Sequence, residues 1–331
     1  GWNDRIQDAI ISRVVKETHI DRMGYEPAIV YLNGDYWGLY GVREKIDEHY
    51  VESNHGMRSD KVDLLNRDSA LAGSSDHFME SFEIIQNTSV QDTSFIDVFS
   101  SRFDIDNYLD YFITQTYIQN MDWMGIAWGL NNVKLWRPDT LGGVWRYVLY
   151  DTDASFGYFG QNIWDNYINA ARFPTVSSEH SQIFSRVLLN QDFKCKFTNR
   201  YDDLINTIFQ TTHFNQISNE LKNSISSAIP THINLWSSQG SGLNSFSQWN
   251  NAISSISSYN SARIATARLH INQSLNLQGQ RTVQLDVDHP NTGKINISTI
   301  TPDFYPWNGV YHGGCPINIS AIADSGYTFS H

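Results

Sequence analysis

Apolar residues in the opening stretch fall at Ile6, Ile10 and Val14, a helical spacing that predicts an amphipathic helix over 1–20. The pattern then changes to two apolar, aromatic runs, 28–32 and 36–42, separated by Asn33-Gly34. A tight primed turn needs positive φ, which Asn-Gly supplies, so these runs predict a β-hairpin. A short helix is expected from Asp47 to near Gly56. Helical periodicity returns over 75–87 and 104–121, the second with Ile105, Leu109, Phe112 and Ile113 on one face. Two strands are expected at 133–136 and 144–150, with Pro138-Asp139 and Gly142-Gly143 turning the chain between them. Residues 158–176 read as irregular and aromatic. Helices are expected at 179–190, 192–209, 214–229 and 249–275, all rich in Ser, Asn and Gln. After Gly279 the pattern becomes strand-like at 281–287 and 294–300, punctuated by Pro and Gly. The fold class expected is α+β, with a boundary near 279 between a large domain, 1–279, and a small β module, 280–331. The chain stops at Ser330-His331 in what reads as an unfinished strand. Such a module is expected to be removable without loss of the larger domain's stability.

Composition narrows the function. The 331 residues carry a net charge of −12 and no Lys/Arg cluster, which argues against a nucleic-acid partner. No apolar run reaches the ~18 residues of a membrane span. Cys195 and Cys315 lie in segments of different character, and two free thiols are expected, a single bridge being the lesser alternative. The chain opens at Gly1 without Met, so the lack of a signal peptide carries no weight on export. Ten Trp among 13% aromatics fill a core first, and secondly line ligand grooves.

The residues best placed for chemistry lie between 120 and 157. They are Asn120-Met-Asp122-Trp123, Asn131-Asn132-Val-Lys-Leu-Trp136 and Asp151-Thr-Asp153-Ala-Ser-Phe-Gly157. An apolar strand delivers Asp151 to a Gly-terminated loop. Carboxylates there suit a hard cation such as Mg²⁺, and an Asn oxygen adds a ligand without charge. A separate Asp122 could accept the proton of a substrate hydroxyl. The plain alternative is a turn in which Asp caps its own backbone. An EF-hand loop starting at Asp151 fails, because Gly and Glu are needed where Phe156 and Asn162 stand. Arg43-Glu44-Lys45 closes the hairpin and could meet phosphates, or be an exposed strand end. No nucleophile elbow, Walker loop or Rossmann fingerprint occurs.

These segments, with 30–47 and 145–157, occur in the order found in the spore-coat-H (CotH) kinase family of bacteria, and roughly residues 1–275 resemble it. The resemblance implies a divergent protein-kinase-like fold with a helical C-terminal part. It implies an atypical protein serine kinase, using ATP and Mg²⁺ or Mn²⁺ to phosphorylate Ser on secreted or surface proteins. Residue by residue, Asp122 would be the catalytic Asp, while Asn132, Asp151 and Asp153 would hold metal. Arg43, Glu44 and Lys45 would lie on the nucleotide-phosphate side. Two departures stand out. The family's upstream segment, with an Arg-Gly turn and a Lys-Lys-Ser stretch, is missing, and the stretch between Asp122 and Asn132 is longer than the family's. The tail is similar to small β repeat modules of bacterial surface proteins, which fits export. The competing readings are a pseudokinase or adhesin that binds without turnover, and a glycan-binding protein with Trp residues along one groove.

Overall fold

The computed structural model describes residues 3–329 except Ser241 and Pro290; Gly1 and Trp2, within the first expected helix, and the expected terminal strand residues Ser330 and His331 lie outside the described residues. The chain runs through α1 (Gln7–Val14), β1 (Asp21–Arg22), β2 (Tyr25–Leu32), β3 (Asp35–Arg43), α2 (Glu48–His55), β4 (Val62–Asn66) and β5 (Ser69–Ala72). Then come α3 (Asp76–Asn87), α4 (Phe95–Ser100), α5 (Ile105–Tyr117), β6 (Lys134–Pro138) and β7 (Arg146–Leu149). The helical part comprises α6 (Tyr167–Arg172), α7 (Glu179–Val187), α8 (Gln191–Asn206), α9 (Thr211–Ile225), α10 (Ile229–Trp236) and α11 (Phe246–Leu275). It is followed by β8 (Gln280–Leu285), β9 (Gly293–Ile297), β10 (Trp307–His312) and β11 (Ile319–Ala323).

The α+β class follows directly. A five-stranded mixed sheet has the order β1-β7-β6-β4-β5, in which β1 runs parallel to β7 and the other neighbours are antiparallel. The hairpin β2–β3 stands apart as its own two-stranded ribbon, turning at Asn33 (φ 53) and Gly34 (φ 93) as the primed turn requires. Helix α2 begins at Asp47, whose carboxylate accepts from the N–H groups of His49 and Tyr50, and ends on left-handed Gly56. The sheet packs on α5, where Tyr111 stacks on Tyr147 of β7, Tyr108 and Phe112 meet Tyr147 edge-on, and Phe112 meets Trp123 edge-on.

Buried His180 at the start of α7 ties this core to the β4–β5 turn. Its Nε2–H donates to the Arg67 carbonyl (3.1 Å) and its Nδ1 accepts from the Tyr147 hydroxyl (2.9 Å), which defines a neutral ring. Burial pushes this imidazole down to about 4. The unfolded chain therefore binds the extra proton first, so the contribution is complete above the unfolded value of ~6.5 and is lost as pH falls towards 4. A loss on the order of 2–3 kcal/mol is expected. Urea midpoints at pH 7 and pH 4 should fall more steeply for the parent than for His180→Gln; equal slopes would contradict a neutral buried ring.

The β module docks on α8 and α11. Asp203 of α8 accepts from the Tyr311 hydroxyl (2.7 Å) and from Thr299 (2.7 Å), and Asp202 accepts from His312 N–H (2.8 Å). Arg268 of α11 donates to both Asp202 (2.9 Å) and the Val310 carbonyl (2.8 Å). Cys195 and Cys315 form a disulfide across this interface, correcting the expectation of free thiols. The fold brings together two residues 120 positions apart, which spacing alone does not reveal. The contacts change what a cut near 279 should do. Removing 280–331 strips the His312, Tyr311 and Thr299 donors from Asp202 and Asp203 while the Asp202–Arg268 pair remains, and each hydrogen bond lost from a charged group costs about 1.5–3 kcal/mol. Reducing the bridge should cost about 2–5 kcal/mol by freeing a long loop in the unfolded chain. A Tm of 1–279 equal to that of the full chain would contradict this coupling.

Candidate active site

Asp122 lies just past α5, where Gln119 (φ 54) turns the chain in the left-handed region. Trp123 behind it is fully buried and donates from its indole to the Tyr111 hydroxyl (2.9 Å), which fixes the local backbone. Both oxygens of the Asp122 carboxylate are held. Oδ1 accepts from the Asn131 amide (2.7 Å), and Oδ2 accepts from the Asn132 amide (3.1 Å). Asn132 also donates to the Asp122 carbonyl (2.9 Å), so the long loop between them closes on itself.

Asp151 arrives from β7. Its loop is sewn to the Asp122 loop, since Met121 N–H donates to the Ala154 carbonyl (3.0 Å) and Phe156 N–H to the Ile118 carbonyl (3.0 Å). From the other side, the Gln7 amide of α1 donates to the carbonyls of Asp153 and Ser155 (3.0 Å each). Asn132 (φ 52), Asp151 (φ 51) and Phe156 (φ 50) all sit in the left-handed region, a strain that surrounding contacts must hold and that gathers at functional sites. Gly157 (φ 76) closes the loop; a Cβ there would come within 2.6 Å of the Tyr259 ring.

The electrostatics show how close the acids lie. Asp151 is pushed up to about 6, first by burial, then by the charge of Asp153 and a hydrogen bond with it, and further by Asp8 and Asp122. Burial raises Asp8 as well, and Arg43 offsets it through a bidentate pair whose Nη2–Oδ1 contact is 2.7 Å. Arg43 is thus tied to the acidic cluster through Asp8. Glu44 instead accepts from Gly24 N–H (2.6 Å) and from the Asn54 amide (3.0 Å). Lys45 pairs with Asp47 (3.1 Å) and its side chain is exposed.

Several residues around this site carried no signal in the sequence. Asp8 stands in the first turn of α1. Arg67 donates to Asn131 Oδ1 (2.8 Å), and Lys134 donates to the Ile46 carbonyl (3.0 Å) while lying 4.8 Å from the centre of the Tyr150 ring. Burial lowers the Lys134 ammonium. The position of Lys134 within the Asn131–Arg137 motif was the only available hint.

Among the described residues, no three or more His, Cys, Asp or Glu side chains are arranged to enclose a metal ion. Mg²⁺ commonly takes one or two carboxylates and completes its shell with phosphates and water. Asp151, Asp153 and the Asn132 amide oxygen supply hard oxygen donors of that kind, and the crowding of Asp151 by three other acids favours a cation beside it.

Asp122 and Asn132 thus share one loop, that loop is hydrogen-bonded to the loop that carries Asp151, and the charge of Asp122 reaches Asp151. The chain belongs to the CotH kinase family: the family model described as CotH kinase protein matches residues 3–266. The match ends within α11 and leaves the β module outside it. Among curated proteins, none matches this chain.

Proposed function

We propose that this chain is a metal-dependent protein kinase of divergent kinase-like fold, moving the γ-phosphate of ATP to Ser hydroxyls of secreted or surface proteins. The observation that carries this reading is the union of Asp122, Asn132 and Asp151 through the hydrogen bonds of two facing loops. In chain order they come as acid, Asn, two antiparallel strands, acid, which matches the order of parts in phosphoryl-transfer sites of the protein-kinase type.

Asp151, Asp153 and Asn132 would hold Mg²⁺ or Mn²⁺, which neutralises charge on the transferring phosphoryl group when bound. Asp122, braced by two Asn amides, orients the Ser Oγ–H and accepts its proton as the oxygen bonds to γ-phosphorus and ADP departs. Arg43 faces the phosphate side. Glu44 and Lys45 border the same strand end, with Lys45 open to solvent. The Cys195–Cys315 disulfide supports an oxidising, extracellular setting. No described helix is long and apolar enough to cross a membrane.

Calorimetric titration of ATP tests the nucleotide half of the reading. Binding should require Mg²⁺ or Mn²⁺ and disappear with EDTA. ATP affinity that is the same with and without metal would place the chain with binding modules that lack turnover.

A further inference from the structure

The two loops that carry Asp122 and Asp151 also meet through a pair of rings outside the acidic cluster. Trp128 stands within the stretch between Asp122 and Asn132, and Phe159 stands two residues past Gly157 on the Asp151 loop. Their ring centres lie 5.1 Å apart, edge to face at 87°. Trp128 is 50% exposed and Phe159 46%, so the pair is only half covered by the rest of the protein. Large apolar surface left open beside a polar site is a recurring mark of contact with a partner.

Neither ring is exposed because its loop is slack. The Trp128 loop is pinned along its length: Val176 N–H donates to the Gly125 carbonyl (3.0 Å), the Thr175 hydroxyl to the Ile126 carbonyl (2.9 Å), and Met124 N–H to the Asn131 carbonyl (3.2 Å). Gly125 (φ 82) has no room for a side chain, since a Cβ there would come within 2.1 Å of the Val176 carbonyl. Phe159 is held as firmly. Its N–H donates to Gln161 Oε1 (3.0 Å), and the Gln161 amide donates to the Ala154 carbonyl (2.7 Å). The rings are thus fixed before any partner arrives, which lowers the entropy cost of binding one. One side chain ties the pair to the chemistry. The Asn131 amide donates both to the Trp128 carbonyl (3.1 Å) and to Asp122 Oδ1 (2.7 Å), so a single amide group separates the Trp128 backbone from the Asp122 carboxylate.

We propose that Trp128 and Phe159 select the acceptor, by receiving a bulky apolar or aromatic side chain that lies within a few residues of the target Ser. The proposal rests on the reading of Asp122 as the group that serves the acceptor hydroxyl. Two observations favour an acceptor side chain over the adenine of the nucleotide. The pair adjoins Asp122 through Asn131, whereas the phosphate side of the proposed site lies towards Arg43. The rings also stand nearly perpendicular, which forms a corner with two apolar walls and no parallel slot for a flat base. A Phe or Leu side chain fills such a corner and covers both rings at once. A Ser flanked only by small residues leaves them open and gains nothing from them, so the pair discriminates between acceptors by how much apolar surface each one brings.

The test uses the full chain and short Ser-centred peptides of Gly and Ala, each carrying one Phe, Leu or Lys within three positions of the Ser. Peptide binding is measured by calorimetry with Mg²⁺ and a non-hydrolysable ATP analogue, and turnover by phosphoserine formation with Mg²⁺-ATP. Phe or Leu at one position should tighten binding and raise kcat/KM at least about tenfold over Gly, the gain from burying one such side chain. Trp128→Ala and Phe159→Ala should each bring that ratio towards one, and Trp128→Phe should keep most of it. Affinity for the ATP analogue should match the parent in all three variants, and Tm values show that each is folded. The same binding preference without turnover would leave the ring pair standing and remove the kinase reading. Turnover that ignores the flanking residue or favours Lys, or a preference that both folded Ala variants retain, would overturn the proposal and leave the kinase reading standing. A loss of ATP-analogue affinity in Trp128→Ala would assign the rings to the base and overturn it as well. Neither binding nor turnover of any peptide would overturn both.

Discussion

Asp122→Ala should lower phosphoryl transfer by about 10²–10⁴-fold, the range for a positioned acid or base, while ATP affinity stays close to the parent value. The split follows from position. In the proposed reading Asp122 serves the acceptor hydroxyl, and its carboxylate is braced by Asn131 and Asn132. Phosphoryl transfer depends on positioning and charge stabilisation, so loss of this oxygen pair removes orientation and leaves nucleotide contacts in place. Stability should change little. Asp122 is only partly buried, so water can reach the two amides left without a partner, and Trp123 still anchors the backbone through Tyr111. If turnover, affinity and Tm all fell together, Asp122 would be a structural brace. Full turnover in a well-folded variant would remove it from the mechanism.

Asp151→Asn should abolish metal-dependent ATP binding and leave Tm at or above the parent value. The two effects have one cause. Asp151 is raised to about 6 by burial and by Asp153, Asp8 and Asp122, so its ionised form opposes folding at neutral pH. The sign is opposite to that of a salt-bridged Asp. The folded value lies above the unfolded one, so the unfavourable contribution grows as pH rises through about 6 and is absent at low pH. Replacing the carboxylate with an amide removes this repulsion and, in the proposed reading, a metal ligand in the same step. Calorimetry with Mg²⁺-ATP and thermal melts at pH 5 and pH 8 check both parts. Unchanged ATP affinity would remove Asp151 from the metal site, and a lower Tm at pH 8 would contradict the crowding argument.

Local signals made part of this architecture readable from the chain. Asn33-Gly34 encodes its own turn, Asp47 and Gly56 bracket α2, and the apolar run into Asp151 announces a strand that ends in a loop. The elements that escaped notice lack such signals. The β4–β5 hairpin turns at Arg67-Asp68, with left-handed Arg67 (φ 63) and no Gly or Pro, and the His180–Arg67 contact from α7 helps to hold that turn. Helix α6 lies inside the stretch read as irregular, where aromatic residues hid a single short amphipathic turn. Helix α5 stops at Tyr117, short of the expected 121, because Gln119 adopts the left-handed turn that presents Asp122.

The candidate site divides the same way. Asp122, Asn132 and Asp151 stand in a sequence pattern, so the chain itself pointed to them. Asp8 does not, because its meaning comes from the distant segment it meets, Arg43 on β3. The Cys195–Cys315 bridge belongs to the second kind as well.

The most direct test of the central claim is phosphoserine formation. The full chain, incubated with ATP and an acceptor protein, should generate phosphoserine detectable by mass spectrometry when Mg²⁺ or Mn²⁺ is present, and none with EDTA. Asp122→Ala and Asp151→Asn should each reduce it to a small fraction. Phosphoserine that forms equally well without metal, or no phosphoserine from a folded chain that binds Mg²⁺-ATP, would contradict the assignment of these residues to a phosphotransferase site.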